Sequence, residues 1–199
     1  MARPNQDNKY LSLLQDYYAE HRLIPSYAAI SALLGFRAKT AAAALVKRLE
    51  AAGYLQRSAG RRLTPTERFF ERPRSVASVR AGLQEAVLDN SVEMVSIDSL
   101  LVHSPSRTFL VPIKGDSMQD AGLLEGDTVI CEQSQRARPG DIVVAVLEGE
   151  LTIKTLVQEK DSKGLRLVLR PENPNYPILR PDPLEIIGVV TGSFRSYRS

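Results

Sequence analysis

Two polar residues in the second half of the chain are candidates for acid–base chemistry. Ser117 lies in the turn KGDSM, directly after the strand-like run FLVPI. Lys154 interrupts the run LTIKTLV and has the apolar neighbours Ile153 and Leu156. Such a turn is common, and a strand lysine usually faces solvent, so either residue alone is weak evidence. Together they supply a nucleophilic hydroxyl and an amine that could activate it.

A lysine acts as a general base only when its amine is neutral. The ordinary pKa of lysine is ~10.4, and holding the amine deprotonated at pH 7 costs about 4.6 kcal/mol. Burial can supply a shift of this size because desolvation disfavours the ammonium form. A neutral Lys154 would take the proton of Ser117 during attack on a carbonyl group and then deliver it to the leaving amine. Backbone N–H groups of the turn, at Asp116 and Ser117, could stabilise the oxyanion.

Other catalytic classes lack their residues in this sequence. The two histidines, His21 and His103, have no motif context, so neither a Ser-His-Asp triad nor a Cys-His pair is supported. Cys131 is the only cysteine, which excludes a disulfide framework and thiolate-rich zinc sites. We therefore expect neither a metal nor a cofactor.

The sequence has no feature of a membrane protein. Its longest aliphatic stretches, 41–46 and 142–147, have six residues each, whereas a spanning helix needs ~20. The amino terminus MARPNQDNKY has no apolar segment of the kind that directs export. We expect a cytoplasmic protein without a membrane partner.

Positive charge is concentrated in the first 72 residues. This part has 12 lysine and arginine residues against 6 acidic residues, a charge of +6, whereas residues 73–199 carry −3. The stretch ERPRSVAS separates the two parts. The asymmetry indicates a polyanionic partner for the first part, although charge alone is equally compatible with a solvated basic face that binds nothing.

Apolar spacing predicts three helices in the first part, over 8–21, 27–34 and about 39–52. Ser26 is expected to cap the second helix and Gly35 to end it. Two short helices across a tight glycine turn form a helix-turn-helix, whose last helix would enter a DNA groove.

A basic hairpin is predicted after these helices. The segment YLQRSAGRRLT indicates strands over 54–57 and 61–63, the wing of a winged helix-turn-helix. We expect the hairpin to contact phosphates and the small-residue start of the last helix to approach base edges. The candidate DNA-binding residues are Lys39, Thr40, Ala43, Ala44, Arg57, Arg61 and Arg62. A three-helix interaction module is the alternative.

From about Val92 the pattern changes to short β-rich runs separated by Gly, Pro and acidic turns. The runs are FLVPI, DTVIC, DIVVAVL, LTIKTLV, LRLVL and EIIGVVTG. They predict a compact all-β domain, either a sandwich or a partly open barrel. The expected fold class is α+β and multi-domain, with a winged helix-turn-helix at 1–72, a linker at 73–91 and an all-β domain at 92–199.

The ordered set of motifs resembles one known family. The set comprises a winged helix-turn-helix, the linker residues Val79-Arg80-Ala81-Gly82, the turn GDSM and the element TIK, whose lysine follows Ser117 by 37 residues. It is similar to LexA-type SOS repressors and to their Ser-Lys peptidase relatives, UmuD and the cleavable phage repressors. The segments GLLEGDTVI, PGDIVVA and RPENPNY match as well. The resemblance covers nearly the whole chain and implies a LexA/signal-peptidase-like fold for its β-domain.

The resemblance implies residue roles and a regulatory cycle. Ser117 would be the nucleophile, Lys154 the general base, and Ala81-Gly82 the bond cut in the chain's own linker, where small residues and a flexible glycine suit a narrow site. A homodimer would bind palindromic double-stranded operator DNA, with the strand EIIGVVTGSF as the pairing edge. RecA filaments on single-stranded DNA would trigger cleavage. The chain would be a nucleoid-associated bacterial repressor of DNA-damage genes.

Two departures from the family pattern bear on specificity. Thr40, Ala43 and Ala44 stand where the family's recognition helix usually has an Asn and two acidic residues, which indicates a different operator. The segment RFFERPRSVASV replaces the usual apolar-Pro strand, and Arg80 precedes Ala81. A divergent or second repressor of this type is one hypothesis. The others are a constitutive winged-helix regulator whose β-domain only dimerises, and a general protease, which is disfavoured because signal-peptidase relatives need a membrane anchor.

Overall fold

The chain folds as an α+β protein, with helices in its first half and antiparallel strands in its second half. The computed structural model describes residues 6–75, 92–133, 136–161 and 164–197. The chain divides into two compact units, Met1–Ile97 and Asp98–Ser199. The α+β class and the β-rich second half predicted from the sequence are confirmed, whereas the predicted domain boundaries stay a prediction.

Three helices form the core of the first unit. They are α1 (Asp7–His21), α2 (Tyr27–Leu34) and α3 (Lys39–Ala51), within one residue of the predicted bounds. The side chains buried between them are Leu11, Leu14, Ile30, Ala42, Leu45, Val46 and Leu49. Their spacing of three and four residues within α1 and α3 is the periodicity that predicted the helices.

The connection between α2 and α3 turns the chain sharply. Ser26 caps α2 by accepting a hydrogen bond from the backbone N–H of Ala29 at 3.3 Å. Gly35 ends the helix in the left-handed conformation, with φ 69°, which strains a residue that has a Cβ. The two helices are bent by 98° at this turn. No single helix in the described ranges is long and apolar enough to cross a membrane, and α2 and α3 meet the length and composition only as this bent pair.

A short hairpin follows α3. It consists of β1 (Leu55–Arg57) and β2 (Leu63–Pro65), paired in the register Arg57↔Leu63. The second strand begins two residues later than the sequence predicts, because Leu55 and Leu63 both pack against the helical core and thereby set the register. Arg61 therefore lies in the hairpin loop, with φ 59°.

The chain after the hairpin is still structured. A 3₁₀ turn, Glu67–Phe70, buries Phe69 in the helical core. Strand β3 (Arg72–Ser75) then pairs antiparallel with β4 (Val92–Val95). Residues 73–75, which the sequence assigns to the linker, thus form a strand. The exposed stretch RPRS has no apolar alternation that could predict it.

The second unit contains a six-stranded antiparallel sheet. Its strands are β5 (Thr108–Pro112), β6 (Thr128–Gln133), β7 (Ile142–Leu147), β8 (Glu150–Asp161), β9 (Gly164–Arg170) and β10 (Glu185–Phe194). Their order in the sheet is β5-β6-β10-β7-β8-β9. Each strand covers all or all but one residue of one of the six predicted β-rich runs. A short helix, α4 (Ile97–Leu101), precedes them and was not predicted.

The sheet is strongly curved. Strands lie about 4.8 Å apart, so a flat sheet would separate β5 from β8 by about 19 Å. Residues of both strands nevertheless line one groove. The register of β10 shifts between Ile186 and Gly188 and again between Val190 and Gly192, and such bulges bend a strand. Of the two predicted architectures, the curvature favours the partly open barrel.

Strand β10 lies inside the sheet. Its residues 185–189 pair with β7, and its residues 188–194 pair with β6. The expectation that this strand is an edge is therefore wrong for its first half. Residues 190–194 pair with β6 alone among the described strands, so one side of this half is open.

Gly188 on β10 has no room for a side chain. A Cβ added there would overlap with the backbone oxygen of Glu132 and lie 2.8 Å from Sγ of Cys131. We expect Gly188→Ala to lower the free energy of unfolding by about 1–3 kcal/mol, because the backbone of β6 must move away. Urea unfolding followed by far-ultraviolet circular dichroism measures the loss.

Gly192→Ala is the matched control on the same strand. Its added Cβ would meet only Cδ1 of Ile130 at 3.7 Å and Cδ2 of Leu101 at 4.0 Å, which are ordinary van der Waals distances. We expect a change within about 0.5 kcal/mol. Equal losses in the two variants would contradict the packing of β10 against β6.

Candidate active site and nucleic-acid interface

The turn that carries Ser117 is held by core residues on both sides. Ile113 and Met118 are buried in one apolar cluster of the second unit. Gly115 has φ 79°, which lets the backbone turn between them. Ser117 itself is half-buried. The order of apolar and small residues in the run FLVPIKGDSM thus places the hydroxyl of Ser117 between two buried residues, Ile113 and Met118.

Lys154 is buried although it is a strand lysine. It lies on β8 opposite Val143 of β7, and only 7% of it is exposed. Leu156, which shares its face of the strand, is fully buried. Burial lowers the pKa of Lys154 below its ordinary value, because the ammonium form loses its hydration.

The amine and the hydroxyl are in contact. Nζ of Lys154 lies 2.9 Å from Oγ of Ser117, 3.1 Å from Oγ1 of Thr152 and 2.9 Å from the carbonyl oxygen of Ile153. A neutral amine has two N–H donors and one lone pair. It can donate to Thr152 and Ile153 while it accepts the hydroxyl hydrogen of Ser117. No carboxylate of the described residues contacts Nζ, so none stabilises the charged form there.

A groove of about 340 Å³ opens beside this pair. The Ser117 turn, the end of β5 and the beginning of β8 form its walls, and Val111, Met118 and Leu151 contribute apolar side chains. The groove gives a peptide segment a route to Oγ of Ser117. The arrangement can therefore carry out nucleophilic attack on a carbonyl group with an adjacent base.

The candidate oxyanion donors are the backbone N–H groups of Asp116 and Ser117. Neither donates a hydrogen bond to any other residue in the described ranges. Both are thus free to donate to an incoming oxygen atom.

The candidate cleavage bond, Ala81-Gly82, lies outside the described residues. The segment that contains it connects β3 to β4. The pairing of these strands places Ser75 and Val92 opposite each other at the two ends of the segment.

The candidate DNA-binding residues of α3 share one exposed face. Lys39, Thr40, Ala43 and Ala44 are all exposed, while the core residues of the helix point the other way. Lys47 is also exposed and follows Thr40 by two turns, so it extends the same face although the sequence did not single it out.

The three hairpin arginines have different surroundings. Arg57 is exposed, but its guanidinium donates to the hydroxyl of Tyr27 at 2.6 Å and forms an ion pair with Glu50 at 2.9 Å. Its charge is therefore partly offset. Arg61 and Arg62 are exposed in the loop between β1 and β2, without an ion pair in the described part of the chain.

Sequence reasoning alone does not find three further residues of the site. Thr152 touches the lysine amine, and Asn173 and Tyr176 contact Asp116 from the segment after β9. The motif RPENPNY marks this segment, but a motif does not show which residue it contacts 57 or 60 positions earlier.

Comparison with known proteins assigns the chain to a family. Residues 74–191 match the family described as Peptidase S24-like. The LexA repressor of Syntrophobacter fumaroxidans is 33% identical, over 98% of this chain and 95% of that one. The LexA repressor of Alcanivorax borkumensis is 32% identical, over 98% and 97%, and Protein SamA of Salmonella typhimurium is 36% identical, over 60% and 81%. The chain therefore belongs to the Peptidase S24-like family, among its LexA-type repressors.

Proposed function

We propose that this chain is a transcriptional repressor that inactivates itself by cutting its own Ala81-Gly82 bond with Ser117 and Lys154. The observation that carries the proposal is the 2.9 Å contact between a buried amine and a hydroxyl in a peptidase-like family. LexA repressors match nearly the full length of the chain, which supports a repressor and a peptidase in one molecule.

The first chemical step is acylation of Ser117. The neutral amine of Lys154 accepts the hydroxyl proton while Oγ forms a bond to the carbonyl carbon of Ala81. The electron pair of the carbonyl group moves onto its oxygen, and the N–H groups of Asp116 and Ser117 stabilise the resulting oxyanion. Thr152 and Ile153 occupy the N–H groups of the amine, so its lone pair is left for the proton of Ser117.

The second step releases the two fragments. The ammonium group of Lys154 gives its proton to the nitrogen of Gly82, the C–N bond breaks, and residue 81 remains as an ester on Ser117. Water then attacks the ester, Lys154 accepts a proton from the water and returns it to Oγ. The products are a carboxylate at Ala81, an amino group at Gly82 and the regenerated hydroxyl.

We infer that the first unit contains a winged helix-turn-helix. The 98° bend between α2 and α3 lies in the range of such units. The exposed face of α3 offers small residues and lysines, the hairpin offers Arg61 and Arg62, and residues 1–72 carry a charge of +6. We infer that α3 enters the major groove of the operator and that the hairpin contacts the phosphates beside it.

Dimerisation connects the two activities. The open side of residues 190–194 of β10 can pair with a second copy of the chain. Two linked DNA-binding units on a palindromic site bind far more tightly than one, because the second contact is intramolecular. Cleavage at Ala81-Gly82 separates the DNA-binding residues 1–72 from the dimerising strands and removes this gain. The resemblance to LexA-type proteins supports RecA filaments on single-stranded DNA as the trigger and DNA-damage genes as the targets.

Incubation of the full chain between pH 7 and pH 10 tests self-cleavage. We expect fragments 1–81 and 82–199, at a rate that rises about tenfold per pH unit until the amine is neutral. Because burial lowers the pKa of Lys154, the plateau should begin below pH ~10.4, the ordinary lysine value. Gel densitometry gives the rate and mass spectrometry identifies the bond.

Three variants assign the roles in this assay. Ser117→Ala removes the nucleophile and Lys154→Met removes the base, so neither should be cleaved. Lys160→Met changes an exposed lysine at the end of the same strand and should be cleaved like the wild type. A wild-type chain that stays intact at every pH, with and without RecA filaments, would instead support a constitutive regulator whose β-domain only dimerises.

Binding to fragments of the chain's own promoter tests the first unit. Arg61→Ala and Arg62→Ala should each weaken binding to all sequences and flatten the slope of log K against log salt by about 1, because one phosphate contact is lost. Changes of Lys39 or Thr40 should instead alter sequence preference.

The control in this titration is Arg107→Ala, an exposed arginine of the second unit that is paired with Glu132. It should leave both the affinity and the salt slope unchanged. Fluorescence anisotropy at several salt concentrations provides both quantities. If the Thr40 and Arg61 variants behave alike, the assignment of α3 to the groove is wrong.

A further inference from the structure

The segment after β9 is hydrogen-bonded to the turn that carries Ser117. The backbone N–H of Asp120 donates to the carbonyl oxygen of Glu172 at 2.8 Å, and the hydroxyl of Tyr176 donates to Oδ1 of Asp116 at 2.5 Å. Residues 172–176 therefore contact both the residue before Ser117 and a 3₁₀ turn after it, Gln119–Ala121.

The same segment is also connected to the strand of Lys154. Hydrogen bonds from Arg170 and from Thr155 lower the pKa of the Glu172 carboxyl. Thr155 is buried and directly follows Lys154 on β8. The segment thus contacts Asp116, the residue before Ser117, and Thr155, the residue after Lys154.

Asn173 makes the most specific of these contacts. It is 2% exposed, and its Nδ2 donates to the backbone oxygen of Asp116 at 3.1 Å and to the carboxylate Oδ2 of Asp116 at 3.3 Å. Its Oδ1 accepts a hydrogen bond from the backbone N–H of Asn175 at 3.0 Å. Both ends of the buried amide are occupied, so its orientation is determined and its N–H groups are directed at Asp116.

The bond to the Asp116 carbonyl acts on the next N–H group. The carbonyl of Asp116 and the N–H of Ser117 belong to one planar trans peptide and point in opposite directions. A partner that holds the oxygen therefore holds the N–H as well. A hydrogen bond to the oxygen also polarises the peptide and strengthens the N–H as a donor.

We propose that Asn173 is a positioning residue, which holds the Asp116-Ser117 peptide so that the N–H of Ser117 faces the oxyanion of the reaction. This role rests on the proposed self-cleavage and acts only through the peptide. It does not involve the contact between Nζ of Lys154 and Oγ of Ser117, which is made by side chains. Loss of Asn173 should therefore slow the reaction at every pH and leave its pH midpoint in place.

The test compares two Asn→Asp variants of the full chain. Asn173→Asp keeps the acceptor for Asn175 and removes both N–H donors, whereas Asn175→Asp makes the same change at an exposed residue two positions later. We expect cleavage of Asn173→Asp to be slower by about 10²-fold, the loss typical for one oxyanion donor. The rates are compared on the alkaline plateau, where Lys154 is neutral and an added carboxylate no longer changes its charge, and Asn175→Asp should match the wild type there.

Each other outcome has a distinct meaning. If Asn173→Asp cleaves at the wild-type rate, Asn173 has no positioning role and the proposed self-cleavage is unaffected. If the plateau rate of Asn173→Asp equals that of the wild type and only the midpoint shifts, the new carboxylate acts on the charge of Lys154 and the assignment to the peptide is wrong. A wild-type chain that is never cleaved overturns the proposed function and this inference together.

A second measurement covers the case in which Asn173→Asp does not fold, as judged by thermal unfolding. Nuclear magnetic resonance of the uncut Ser117→Ala chain follows the side-chain amide hydrogens of Asn173 and Asn175. Hydrogen-bonded and buried amide hydrogens exchange slowly with water, so those of Asn173 should exchange at least about tenfold more slowly than those of Asn175. Equal exchange rates would show that the bond to Asp116 is absent and would overturn the proposal.

Discussion

The proposed chemistry depends on the amine of Lys154, which is buried among uncharged groups. Lys154 is buried, and the groups around its Nζ are two hydroxyls and a carbonyl oxygen. A carboxylate in their place would hold the amine in its charged form and remove the base. Because the folded pKa lies below the unfolded value, the site costs stability at neutral pH, and the cost falls as the pH rises towards 10.5. The surrounding sheet must offset this cost through its apolar packing.

The curvature of the sheet brings this amine to its hydroxyl. Ser117 follows β5 at one edge, and Lys154 lies on β8, four strands away in the order β5-β6-β10-β7-β8-β9. Strand β10 lies between them, with two register shifts and with Gly188 packed directly on the backbone of β6. A flatter sheet would keep every local contact of the Ser117 turn and still separate the amine of Lys154 from the hydroxyl of Ser117. The geometry of the pair is thus a property of the whole sheet.

A third segment, residues 172–176, contacts both the Ser117 turn and the strand of Lys154. The buried amide of Asn173 reaches the backbone beside Ser117, and Glu172 reaches the strand of Lys154. The bond to Asp116 raises the pKa of the Tyr176 hydroxyl, which therefore remains a donor in the alkaline range where a lysine base is most active. In the proposed mechanism, residues without chemical function of their own thus hold the reacting groups in place.

The sequence by itself determined the helices, the strands and the two residues whose chemistry could serve a reaction. The periodicity of Leu45, Val46 and Leu49 predicted α3, and the β-rich runs predicted six strands. Such predictions succeed because the residues that share a buried face of a helix or a strand are only a few positions apart in the sequence. Short local motifs, KGDSM and LTIKTLV, likewise singled out Ser117 and Lys154. Only the tertiary structure decided the start of β2, the interior place of β10 and the contacts of Thr152 and Asn173. These depend on which surfaces meet across tens of residues, and neither spacing nor composition encodes such pairings.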